Sequence, residues 1–167
     1  MRRLCALGLL LLLGACEDEL SPQEQAARDA RDVAAVEAGN SVKPPPRPIS
    51  PQVIGYPDIE KYNLFGAGCS FAPGTSIGAI VLALDDTAYI KLEGDLVRFA
   101  SDTGSSDLPL GAHTQYDGKE YQVELALEED KGVISGQETM TYPGTAIIRD
   151  ANDQVVYQAD GAIQCGA

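Results

Sequence analysis

The chain has 167 residues, of which 12 are Lys or Arg and 25 are Asp or Glu, for a formal net charge of −13. So acidic a balance argues against a nucleic-acid-binding surface and against electrostatic adhesion to anionic lipid, and it suits a basic partner. The length allows one modest domain plus tethering segments.

Arg2 and Arg3 precede an apolar run from Leu4 to Leu13. A positive start followed by leucines is the pattern of a secretory leader, and the run is too short for a membrane span of roughly twenty residues. Leu13-Gly14-Ala15-Cys16 closes the run. This quartet resembles the lipobox of bacterial lipoproteins, in which Leu-x-x-Cys carries small residues before the cysteine. The resemblance implies cleavage before Cys16, diacylation of its sulfur and usually a third acyl chain on the new amino group. Membrane attachment follows, because two or more chains anchor stably where one holds only marginally. Residues 1–15 are then the signal peptide. Removing those fifteen from 167 leaves 152, and losing Arg2 and Arg3 takes the charge from −13 to −15. Glu17, rather than an aspartate, follows Cys16. In that family this leans towards the outer membrane, facing the periplasm, over the inner membrane. The alternative is an ordinary leader cut at a small-residue site.

Residues 16–41 read as the lipidated tether. Ser21-Pro22-Gln23-Glu24 has the form of a capping box with proline at the first helical position. Helix formers fill Gln25 to Ala38, and Gly39-Asn40 supplies a stop. The apolar face is mostly alanine, which predicts a marginal helix or a disordered tether, with a partner-binding helix as the alternative. Residues 42–54 form a proline-rich linker, with five prolines between Val42 and Pro51. That density favours extended polyproline II, a semi-rigid spacer, and also resembles a ligand for aromatic grooves.

Residues 55–167 predict an all-β domain. Gly78 to Leu84, Ala88 to Glu93 and Leu96 to Ala100 read as strands, and Tyr121 to Leu127 is the clearest period-two run. Gly132 to Glu138, Thr145 to Arg149, Val155 to Gln158 and Ala162 to Cys165 complete the set. Between them sit turn pairs, including Asp85-Asp86, Gly94-Asp95, Asp117-Gly118, Asn152-Asp153 and Asp160-Gly161. Seven to eight short strands with tight turns predict a small antiparallel barrel or sandwich. Once Cys5 leaves with the leader and Cys16 takes lipid, Cys69 and Cys165 remain. In an exported chain such a pair is most simply a disulfide, here between the start and end of the domain. A redox or metal pair would need closer spacing or further ligands.

Candidate chemistry is sparse. Asp102-Thr103-Gly104-Ser105-Ser106 resembles the catalytic loop of pepsin-like aspartic proteases, where two such aspartates share a proton and activate water. With a single copy, Asp102 could act only in a retropepsin-like homodimer, and Ser101 stands where that family has an apolar residue. A surface turn accounts for the same residues. His113 is the sole histidine and has no nucleophile at motif spacing, so it reads as a surface loop residue. Asp150-Ala151-Asn152-Asp153 reads as a hairpin turn rather than a calcium loop, since Val155 falls where the glycine belongs. Gly66-Ala67-Gly68-Cys69 lacks the lysine of a phosphate loop. Tyr56, Tyr62 and Phe65 could cover an open barrel end or, exposed, form a binding patch. No cofactor or metal site is predicted.

The sequence therefore points to a lipid-anchored, non-catalytic module that binds another envelope protein. A structural or accessory subunit of an envelope complex is the alternative, ahead of an aspartic protease using Asp102. In layout the chain resembles the membrane-bound inhibitors of C-type lysozyme, small β-barrel lipoproteins with cysteines near both domain ends. The resemblance implies an inhibitor acting on a basic lysozyme. It carries over no inhibitory residue, because that family's Ser-Gly and Tyr-Trp segments have no counterpart and the chain has no tryptophan.

Overall fold

A computed structural model describes residues 21–40 and 42–167. The leader, the lipobox and Cys16 lie outside them. The chain divides into two units, with the boundary between Lys43 and Pro44.

In the first unit the described residues form helix α1, Pro22–Asn40, with no buried residue. Its start is the reciprocal cap expected from the sequence. The Ser21 N–H donates to the Glu24 carboxylate at 3.0 Å, and the Glu24 N–H donates to Ser21 Oγ at 3.3 Å. No helix among the described residues is long and apolar enough to cross a membrane.

The second unit is a closed antiparallel barrel. Its strands are β1 (Gly68–Pro73), β2 (Val81–Leu84), β3 (Thr87–Leu92), β4 (Asp95–Ser101), β5 (Gln115–Asp117), β6 (Tyr121–Leu127), β7 (Val133–Ile134), β8 (Met140–Asp150) and β9 (Val155–Gly166). Around the barrel the order is β1-β2-β3-β4-β5-β6-β8-β9, with β9 closing onto β1, and β7 pairs only with β8. Eight strands leave an interior just wide enough for side chains to fill. Phe71, Ile90, Phe99, Tyr116, Leu125 and Ile163 fill it, each fully buried or nearly so. Cys69 and Cys165 face each other across β1 and β9 and are disulfide-bonded, with Cα atoms 4.0 Å apart. The bond therefore ties the first strand of the barrel to the last.

Some elements differ from the sequence expectation. β1 and β5 were not legible, being short and flanked by Gly and Pro or by polar loops. The expected strands at 155–158 and 162–165 are one continuous β9. Asp160-Gly161 is not a turn: Gly161 pairs with Gly144 on one side and Pro73 on the other. A Cβ there would lie 2.1 Å from the Ala72 carbonyl oxygen, so glycine serves close backbone approach within a strand. A second helix, α2 (Tyr56–Tyr62), precedes β1. The Asp58 carboxylate accepts the Gly55 N–H at its start, and Asn63 ends it in the left-handed region (φ 52°).

Chain segments cross the upper end of the barrel in part and fill the lower end. The upper end carries the β1–β2, β3–β4, β5–β6 and β8–β9 connections. Residues 44–54, read from sequence as linker, run across it as a strap. Ile49 N–H donates to the Val156 carbonyl at 3.0 Å, Gln52 N–H to Lys91 at 2.8 Å and Ile54 N–H to Ala79 at 2.8 Å. Ile54 is buried, and Ile49 packs against the core. At the lower end the loop 102–114 inserts Leu108 and Ala112 into the core.

Candidate functional site

The strap crosses the upper end from β9 to β3 and leaves the side bounded by β4, β5 and β6 uncovered. A groove of about 760 Å³ lies there, a size usual for binding clefts. One wall is the strap at Pro48–Gln52, the second is the β3–β4 hairpin, and the third is the β5–β6 turn at Lys119 and Glu120. Its floor is Ile49, Leu92, Val97 and Tyr121, partly buried side chains that pack on the barrel core. Its rim is charged, with Glu93, Asp95 and Glu120 against Arg98 and Lys119. A smaller groove of about 290 Å³ continues past the same β5–β6 turn, between Pro44–Arg47 and the β8–β9 turn.

The groove exists because β5 is short. β4 pairs with β5 only at Ala100↔Asp117 and Ser101↔Tyr116, whereas it pairs with β3 along its whole length to Asp95. Among the described residues, 95–98 of β4 thus have a strand neighbour on one side only. The Asp102 N–H donates to Gln115 on the β5 side, and the Ser101 N–H to Asp86 on the β3 side. Strand alternation then turns the Leu96 and Arg98 N–H and C=O groups away from β3, and Arg98 lines the groove. The β3–β4 turn itself is tight, with Glu93 (φ 51°) and Gly94 (φ 93°) both left-handed. Gln52 Oε1 accepts the Gly94 N–H at 2.8 Å, fixing the hairpin to the strap.

The residues singled out from sequence lie elsewhere. Asp102 is half-buried at the lower end, where its carboxylate accepts the Gly104 N–H at 2.8 Å and its carbonyl accepts Ser105 Oγ at 2.7 Å. These bonds make the Asp-Thr-Gly-Ser-Ser segment an Asx turn closed on itself. His113 is not a surface residue: its side chain is only 12% exposed, with Nδ1 3.5 Å from Asp107. The same loop is held by Tyr116, whose hydroxyl donates to the Leu84 carbonyl at 2.6 Å and accepts the His113 N–H at 2.7 Å. Burial raises the Tyr116 pKa above the ordinary phenol value, so it stays protonated as a buried donor. The Asp150 carboxylate accepts the Asn152 and Gln154 N–H groups, capping the β8–β9 turn.

The aromatic residues near α2 do not cover a barrel end. Tyr56 and Phe65 are 65% and 57% exposed and meet edge to face with ring centres 6.3 Å apart. Lys91, pointing outward from β3, donates to both Asp58 carboxylate oxygens at 2.8 and 2.9 Å. That contact holds α2 to the barrel wall. Sequence reasoning did not find the groove, since its residues come from three separated segments. The mismatch that opens it, a seven-residue β4 beside a three-residue β5, was hidden because β5 itself was not legible. No protein-family model, curated protein or solved structure matches the chain.

Proposed function

We propose that this protein is a lipid-anchored, non-catalytic binding module of the cell envelope, attached through Cys16 and facing the periplasm. It holds a partner protein in the groove at the upper end of the barrel. The observation that carries the reading is the groove itself, an apolar floor with a charged rim at the mouth of a barrel whose interior is filled by its own side chains. Membrane address and partner binding would then lie in separate parts of the chain. The acidic total charge favours a basic partner by steering and by complementarity at the rim.

The test places a photoreactive residue at Lys119 in the groove, or at Glu129 beyond the lower end of β6, in the full chain in its own host. One defined adduct from position 119 and none from position 129 is the expected result. Adducts from both positions, or from neither, would overturn the groove as the binding site. Metabolic labelling with an acyl probe tests the anchor in parallel. Label that survives Cys16→Ser would contradict lipidation at that residue.

A further inference from the structure

We propose that the upper edge of β4, residues 95–98, takes up an extended basic segment of the partner polypeptide as an additional β-strand. This inference rests on the groove being the binding site and specifies how that site reads its partner.

The main-chain chemistry selects an extended polypeptide. Among the described residues, β4 continues beyond Ala100↔Asp117 with β3 alone paired to it, so its second edge presents the Leu96 and Arg98 N–H and C=O groups. Unpaired strand edges are templates for pairing with another chain, and proteins commonly guard them with bulges, prolines or covering loops. Here the β4 register against β3 has no bulge and the segment has no proline. The strap, which could have covered the edge, bonds instead to the far side of β3 and to the β3–β4 turn. An added strand completes the ladder that β5 leaves short, and alternate side chains of that strand reach the apolar floor formed by Val97, Leu92, Ile49 and Tyr121. The rim supplies the charge preference. Three carboxylates, Glu93, Asp95 and Glu120, outnumber two cations on a chain of net charge −13.

The probe is the peptide acetyl-Lys-Val-Thr-Val-Thr-Val-Lys-amide, titrated into the ¹⁵N-labelled full chain, with its analogue carrying Glu in place of both Lys as comparison. The Leu96 and Arg98 amides are expected to shift and to gain protection from exchange. The basic peptide should bind roughly tenfold more tightly than the acidic one at low salt, a margin that closes at high salt. Leu96→Pro removes only an outward N–H and should abolish binding, whereas Leu96→Ala should retain it. Should Leu96→Pro unfold the chain, N-methylation of alternate peptide residues removes the same ladder from the ligand side. Binding that survives N-methylation would overturn the proposal, as would shifts at Val97 and Tyr121 without shifts at Leu96 and Arg98. Equal affinity for the two peptides would overturn the basic preference. Concentration-dependent shifts without peptide would assign the edge to a second copy of the chain. An adduct at position 119 combined with silence at Leu96 and Arg98 would leave the groove as the site and remove strand addition. Peptide uptake without an adduct would do the reverse.

Discussion

Tyr116 is the side chain on which the lower end of the barrel depends, since one buried hydroxyl serves both a strand carbonyl and a loop N–H. Tyr116→Phe leaves both partners unpaired inside the protein and is expected to cost about 1–3 kcal/mol in urea unfolding. Asp102 works at a smaller scale, as acceptor for its own loop. Asp102→Asn, which keeps that acceptor, should be near neutral, and Asp102→Ala should cost about 1 kcal/mol by the same measurement. Asp58 has its pKa lowered, first by the hydrogen bond from Lys91 and then by the Gly55 N–H. A lowered carboxylate contributes stability that is present above its unfolded-state value and lost as pH falls through the folded one. Asp58→Asn should therefore flatten the loss of stability below about pH 4 in an acid-unfolding profile.

At the scale of elements, what was legible in the sequence followed local chemistry. The α1 cap was visible because Ser21 and Glu24 stand at the spacing that satisfies the first turn. β6 was visible because Tyr121, Val123 and Leu125 alternate with polar residues. β9 was divided in two because Asp160-Gly161 has turn composition, although its glycine serves the closeness of β1 and β8. Gly161→Ala should accordingly destabilise the barrel by about 3 kcal/mol, far more than a surface Gly→Ala change. The proline-rich strap was read as spacer because proline density reports extended backbone and says nothing of what lies beside it. Its three backbone hydrogen bonds fall on β9, β3 and the β1–β2 connection, which only the folded topology brings to one end. The β3–β4 turn offers the opposite kind of change. Glu93 occupies a left-handed conformation that disfavours most L-residues, and Glu93→Asn should raise stability by about 0.5–1 kcal/mol in thermal unfolding.

For the barrel as a whole, the disulfide, the strap and the filled lower end leave one open place among the described residues, at the upper end beside β4. Cys69 and Cys165 are 96 residues apart, so their bond removes close to the largest loop entropy this domain offers, about 4–5 kcal/mol. Replacing both by Ala should lower the urea midpoint by a corresponding amount and weaken the β1–β9 seam first in hydrogen exchange. The open segment of β4 is the feature on which the binding role turns, and it can be examined without any partner. Native-state amide exchange of the full chain, resolved along β4, is the most direct measurement. Val97 and Phe99, whose N–H groups point to β3, should exchange slowly, while Leu96 and Arg98 exchange orders of magnitude faster within the same strand. Equal protection at all four positions would mean that the outward edge is already paired, and would contradict an open site at the barrel mouth.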